Sequence, residues 1–411
     1  MRRVLCVIVL LCAAMESEVT GSAERLAKIT VEAGKYTRID TPVSVVIEGI
    51  DSAELRLDEV RDGTRSPVVK QIEPEEPRRL WWILSGTTKA GEKRTYELAA
   101  GRSFAERAAT VFMQKDESSL EVQIRGRGVL RYHHGIVAPP EGASELYARS
   151  GFIHPLWSPG GEVLTWMHPQ DHIHHLGLWN PWTRTKFERR DVDFWNIGKG
   201  EGTVRFVRFD SVRPGPVFGE FCAIQEHVDM KAPGGEKAAL NEELRVRVWN
   251  SGPESDYWMV DYTTGQRCAS SSPLQLIKYR YGGLGFRATE KWDESNSNYL
   301  TSEGKTRKDG HGTRARWCNV FGSTEKGPAG IVFMSHPDNR EHPEPMRIWP
   351  EGHVFFNFCP IQKADWTLEP GNEYVLRYRL YVYDGCVTAE KAERQWRDFA
   401  EPPTVTLEKN K

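Results

Sequence analysis

The sequence predicts an all-β fold: one large antiparallel β-sandwich with few helices. Two observations carry this expectation. Short runs rich in Val, Ile, Tyr, Phe and Trp alternate with polar residues at a period of two, as strands with one buried face do. Helical periodicity is scarce, and no strand–helix–strand spacing recurs.

In chain order, Val204 and Phe206 open the first alternating run of the central region. Leu244, Val246 and Val248 alternate with Arg245, Arg247 and Trp249, and Asn250-Ser251-Gly252 ends that run as turn residues. Residues 257–262, 329–334 and 353–358 are further β-prone segments. Leu376, Tyr378, Leu380 and Val382 alternate with Arg377, Arg379, Tyr381 and Tyr383 before an Asp384-Gly385 turn. The best helical candidate is 388–399, where charged residues surround Ala392, Trp396 and Phe399.

Residues 27–110 read as an N-terminal β-rich region, 111–386 as the main sandwich and 387–411 as a tail or short helix. With no Ser/Gly or Pro-rich linker between them, the economical reading is one large sandwich with the first region as an added layer; two tandem sandwiches are the alternative. Arg2 and Arg3, an apolar run of 12 residues at 4–15 and small residues at Gly21-Ser22-Ala23 have the layout of a secretory signal peptide over 1–23. The run is short of the roughly 20 residues a membrane-crossing helix needs. The expectation is therefore a secreted or periplasmic protein without integral membrane association. The five later cysteines are scattered and odd in number, so at least one should be unpaired.

The 411 residues carry 55 Lys plus Arg against 57 Asp plus Glu, a net charge of −2 that lacks the basic surplus of a nucleic-acid binder. Chemistry concentrates elsewhere. Seven of the 12 His lie between 133 and 175, densest in His168-Pro169-Gln170-Asp171-His172-Ile173-His174-His175. If that stretch is extended, His172 and His174 share one face and His175 takes the other. Paired imidazoles can divide acid and base duties near neutral pH, or hold a divalent metal. A metal site would draw on His154, His172 and His174; no cofactor is assigned.

Residues suited to sugar recognition surround the histidines. Trp157, Trp166, Trp179, Trp182, Trp195 and Phe194 offer flat apolar faces, Arg149, Arg184 and Lys186 offer donors, and Asp171, Asp191 and Asp193 offer acceptors. Glu188 joins the carboxylates to be tested as a hydrolytic pair, which would stand about 5 to 9.5 Å apart. A second cluster, His336-Pro337-Asp338-Asn339-Arg340-Glu341-His342, reads as a functional loop, and Gly282-Gly283 as a place where backbone could approach a ligand.

The stretch SGFIHPLWSPGGEVLTWMHPQDHIHHLGLWNPWTRTKFERRDVDFWN at 150–196, with GGLGFR at 282–287, ARWCNVFG at 315–322, GIVFMSHPDNREHP at 330–343 and LRYRLYVYDG at 376–385, resembles the DUF6807 family. The resemblance covers about 110–386. It implies an extracytoplasmic β-sandwich protein of carbohydrate-degrading bacteria, with the fold expectation extending to a galactose-mutarotase-like supersandwich. The family's frequent label, methane oxygenase PmoA, sits badly with a chain that has no membrane-spanning run after its leader. Matching positions are His154, His168, Asp171, His172, His174, His175, Gly177, Asp193 to Trp195, His336, Asn339 and His342; Leu176 replaces an Arg common in relatives.

The site expectation is thus His154, Asp171, His172, His174 and His336 as catalytic groups. Arg149, His175, Trp179, Lys186, Asp193, Trp195, Asn339 and His342 are expected to bind an oligosaccharide or glycoside. His154, His172 and His174 are expected to converge on one cleft, approached by His336 or His342. The reaction would be glycoside hydrolysis, elimination or epimerisation, and the nonenzymatic alternative is a carbohydrate-binding or structural β-sandwich protein.

Overall fold

The computed structural model describes residues 24–50, 52, 54–102, 110–250, 252 and 255–410. The expected leader at 1–23 lies outside them. Antiparallel strands dominate, and among the described residues the only α-helix is Ala389–Ala400. An eight-stranded sheet runs from Gly202–Arg213 through Phe218–Asp229, Lys237–Trp249, Tyr257–Cys268, Tyr374–Asp384, Gly327–Ser335 and Trp317–Thr324 to Ser297–Thr301. A nine-stranded sheet faces it, with Glu344–Ile348, Phe355–Phe358, Gly285–Arg287, Leu178–Trp179, Phe152–Leu156 and Arg127–His133 as its central strands.

The alternation read from the sequence builds the core between these sheets. Leu244, Val246 and Val248 turn inward with Leu376, Tyr378, Leu380 and Val382, and meet Ile153, Leu178, Phe286 and Phe356 from the facing sheet. Each such fully buried large side chain contributes roughly 1.5–3 kcal/mol relative to exposure. The same period of two has a second consequence on the nine-stranded sheet. Phe152, Trp179 and Phe355, chain neighbours of the inward-facing residues, form an aromatic cluster with Leu176 and Trp195 on the sheet's outer face. That cluster is the floor of the site described below.

The outer face of the eight-stranded sheet is also covered. Trp249, Met259, Tyr381 and Tyr383 pack with Ala392 and Trp396 of the helix and with Trp81 and Ile83 of the N-terminal region. That region has its own core, in which Ile29, Val31, Leu57, Leu80, Trp82 and Leu98 are buried between a five-stranded and a three-stranded sheet.

The C-terminal stretch holds more than a helix. Thr388 caps Ala389–Ala400 by accepting the Lys391 amide at 3.2 Å, and Thr404–Lys409 then pairs antiparallel with Arg25–Glu32. Arg38 donates to Asp398 at 2.9 Å in a pair whose side chains are 4% and 2% exposed, fastening the helix to the first region. Cys222, Cys268, Cys318, Cys359 and Cys386 are all unpaired.

Candidate functional site

The histidine segment is a closed loop rather than a strand. The His168 amide donates to the His175 carbonyl at 2.9 Å, the His172 amide to Pro169 at 3.1 Å and the His175 amide to His172 at 2.8 Å, so two successive turns are shut by one cross-bond. The chain becomes a strand only at Leu178–Trp179. Gly177 makes that exit with φ +81°, where an added Cβ would stand 2.6 Å from the Ile153 carbonyl; no other residue fits. The expected sharing of a face by His172 and His174, with His175 opposite, therefore does not hold. Turn geometry instead gathers all three rings. His172 and His175 stack with centroids 4.9 Å apart, and His174 stands 5.7 Å from His172 and 4.7 Å from His175.

These rings form one wall of an inner pocket of about 270 Å³. Trp349, Phe355 and Trp195 supply the apolar side; Asn196, Tyr281, Arg280 and Arg347 supply the polar side. Trp349 is half-buried and lies 4.7 Å from the His172 ring, so an accessible indole shares the cleft with the imidazoles. Trp195 packs against the backbone at Gly285, where a Cβ would meet its ring at 2.5 Å. His174, Asn196 and Tyr281 also border an outer groove of about 1140 Å³ walled by Arg184, Lys186, Asp191 and Asp193.

Behind the wall stands a fixed ion pair. Arg287, fully buried between the Trp166 and Trp349 rings at 5.0 Å from each, donates one nitrogen to both oxygens of Asp171 at 2.7 Å. Asp171 Oδ2 lies 3.3 Å from His172 Nδ1, close enough for an electrostatic hold though without hydrogen-bond alignment. Burial opposes the Asp171 charge, but the Arg287 guanidinium outweighs it and holds the carboxyl below its usual range.

His174 is pushed down to about 4, chiefly by burial and then by repulsion from His172, so it is neutral at physiological pH. His175 is driven down more strongly, again by burial first. Tyr281, raised by burial, donates its hydroxyl to Asn196 Oδ1 at 3.0 Å, and Asn196 in turn donates to Asp193 at 2.5 Å. Among the described residues, the ionisable groups lining the inner pocket are three His, two Arg and one Tyr, with no carboxylate. Such a lining can accept a proton and stabilise negative charge nearby.

Several expected residues stand elsewhere. His154 lies outside the pocket: its Nδ1 meets Thr165 Oγ1 at 2.9 Å, and the charges acting on it are those of His133, Arg131 and His168. Among the described residues no group of three or more His, Cys, Asp or Glu side chains is spaced to hold a metal ion, and the set His154, His172 and His174 is not assembled. His336 and His342 do not approach the pocket either. They pack on the C-terminal helix, His342 stacked 6.1 Å from Trp396 and His336 edge-on 5.1 Å from Phe399. Asn339 is buried beside them, donating to Glu344 at 3.1 Å and to the Arg377 carbonyl at 2.8 Å. A buried polar network, not a ligand loop, explains that cluster.

Other expected contacts act through the scaffold. Arg149 is buried and donates to the Phe194 carbonyl at 2.9 Å, holding the segment that carries Trp195. Trp179 and Leu176 are buried in the aromatic floor. Asp193 accepts the Trp195 and Asn196 amides at 2.8 and 2.9 Å, closing the turn between the two cavities. Lys186 lines the outer groove, and Glu188 pairs with Lys237 away from the inner pocket. Gly282 and Gly283 pack against Trp182 rather than opening toward a ligand. Missed from the sequence were Arg280, Tyr281, Arg287, Arg347, Trp349 and Phe355; the only local signal was basic residues beside aromatics in Tyr279-Arg280-Tyr281 and Arg347-Ile348-Trp349.

No curated protein matches the chain. Among solved structures, the crystal structure of heparan sulfate lyase HepC from Pedobacter heparinus is similar with a TM-score of 0.31 and 10% identity, over 70% of this chain and 37% of that one. The chain thus spans little more than a third of that structure's length, and the likeness is too slight to bear on function. Residues 119–397 match the model of a family of unknown function, DUF6807, a span that contains both walls of the inner pocket and the loop that shapes it. The chain belongs to the DUF6807 family.

Proposed function

We propose that this is an extracytoplasmic carbohydrate-active enzyme whose inner pocket carries out proton transfer on a bound sugar. The observation that carries the reading is the half-buried Trp349 ring beside His172 and His174 in a pocket of one-ring size, with Asn196, Tyr281 and two Arg on the other side. An indole face suits the C–H face of a pyranose, while amide, imidazole and guanidinium groups suit its hydroxyls.

In this reading His174 is the proton acceptor. Burial keeps it neutral and it borders both the pocket and the groove that would lead a longer chain in. His172 assists, with the Asp171 carboxylate 3.3 Å from its Nδ1 and Arg287 fixing that carboxylate in place. Elimination or epimerisation is favoured over two-carboxylate hydrolysis, because Asp191, Asp193, Glu201 and Asp365 line the outer groove and, among the described residues, no carboxylate lines the inner pocket.

A panel of plant and bacterial polysaccharides, followed by NMR of the products, tests the reading. New double bonds or inverted sugar centres are expected. New reducing ends whose partner fragments carry a saturated non-reducing end, with no double bond formed, would instead mark hydrolysis.

A further inference from the structure

Arg280 and Arg347 face one pocket with no counter-charge. Among the described residues neither forms an ion pair, and the inner pocket they line contains no Asp or Glu. The partners they do have are neutral. Arg347 donates to His311 Nε2 at 3.2 Å and its buried Nε has no partner; Arg280 lies 5.7 Å from the Tyr279 and Tyr281 rings. Other arginines near buried surface are held either by carboxylates, as Arg247 is by Glu73 and Glu220, Arg379 by Asp261 and Arg287 by Asp171, or by backbone carbonyls, as Arg149 is by Phe194 and Arg307 by Trp349.

Two guanidinium groups brought together without a carboxylate repel one another. Arg347 records this: burial lowers its proton affinity, and Arg280 is the next influence in the same direction. An oxyanion that bridges both forks relieves the free-energy cost of that repulsion. The outer groove differs, since its Lys and Arg side chains are interspersed with Asp191, Asp193, Glu201 and Asp365.

We propose that Arg280 and Arg347 form an anion subsite, and that the sugar bound in the inner pocket carries an acidic substituent, a carboxylate or a sulfate ester, held between them. The inference rests on the carbohydrate reading for the sugar and on the arginine pair alone for the anion. Trp349 and Phe355 would seat the ring while the two guanidinium groups take the acid, which places the ring's neighbouring carbons beside His174.

Calorimetric titration of the intact protein tests it with paired probes. These are trimers of galacturonate, glucuronate and mannuronate, each against its own methyl ester, sulfated galactose trimers against unsulfated ones, and sodium sulfate and acetate alone. At least one acidic trimer is expected to bind tenfold or more tighter than its neutral partner. The uronate and sulfated arms then identify the acid. Arg347→Gln and Arg280→Gln should each reduce the preference to about twofold, because the loss of affinity falls mainly on the acidic partner. Both lie outside the hydrophobic core, and circular dichroism checks that each variant folds. Binding of neutral and acidic partners alike would overturn the anion subsite while leaving the carbohydrate reading intact. Sulfate or acetate binding that the Arg variants abolish, with no sugar bound, would uphold the subsite and refute the carbohydrate reading. Absence of binding by every acidic probe and by both free anions would overturn the proposal.

Discussion

Arg287 grips Asp171 with a single nitrogen at 2.7 Å to both carboxylate oxygens, yet the two partners differ in exposure: 0% for the Arg287 side chain and 39% for Asp171. The asymmetry sets which loss the protein tolerates less. Asp171→Asn leaves a fully buried guanidinium without a counter-charge, whereas Arg287→Met leaves a carboxylate that can reach water. Asp171→Asn is expected to destabilise by about 2 kcal/mol or more, and Arg287→Met by less. Urea unfolding of the two variants compares them directly; the reverse order would mean that the tryptophan sandwich around Arg287, not its charge, dominates.

His174 supplies a pH prediction. Burial and His172 lower it to about 4, so the imidazole stays neutral, and able to accept a proton, well below the usual histidine range. The acid limb of kcat/KM should fall near pH 4 to 5 instead of near the roughly 6.5 of an unperturbed imidazole. A limb at 6.5 would assign the base to another group.

Glu344 gives the opposite lesson about pH, in stability. Fully buried, it accepts hydrogen bonds from Ser335 at 2.5 Å, Tyr378 at 3.0 Å and Asn339 at 3.1 Å, yet burial outweighs these bonds and pushes its carboxyl up to about 7. A carboxyl that binds its proton more tightly when folded stabilises the fold fully at low pH. That contribution is lost as pH rises through the unfolded value near 4.5 toward 7. Between those limits the loss amounts to about 3 kcal/mol. The difference in unfolding free energy between wild type and Glu344→Gln, measured from pH 4 to 8, isolates it from the histidines, whose lowered values act in the other direction.

The Arg38 and Asp398 pair ties the last helix to the first region, with Thr41 also donating to Asp398 at 3.0 Å. Arg38→Ala leaves a buried carboxylate and should cost about 3–5 kcal/mol. Denaturant titration followed by tryptophan fluorescence reads the loss. A value below 1 kcal/mol would mean that water reaches Asp398.

The fold was legible where period-two alternation is strong. Residues 376–383 lie within Tyr374–Asp384, and 388–399 differs from Ala389–Ala400 by one residue at each end. The tail strand was overlooked, although Thr404, Val405, Thr406 and Leu407 alternate, because six residues after a helix carry little weight until a partner strand is known. At the site, the sequence located the loop of His172, His174 and His175 but assigned it the wrong geometry. A positive φ at His168, 52°, and the 168–175 cross-bond close turns that spacing alone does not disclose. Apart from Trp195 and Asn196, the opposite wall comes from 280–281 and 347–355, more than a hundred residues away in sequence. Only the pairing of Gly285–Arg287 with Leu178–Trp179 and Phe355–Phe358 brings it there. His336 and His342 misled for the same reason, since proximity to Trp396 and Phe399 is a tertiary fact.

If the inner pocket performs proton transfer on a sugar, His174 is the acceptor and Trp349 the platform. The most direct test is the steady-state turnover of the best polysaccharide substrate by wild type, His174→Ala and Trp349→Ala. A fall of about 100-fold or more in kcat is expected for His174→Ala, and a rise in KM with a smaller change in kcat for Trp349→Ala; these results would bear out proton transfer in the pocket. Turnover by His174→Ala at the wild-type rate, or no polysaccharide converted by the wild-type protein, would contradict it.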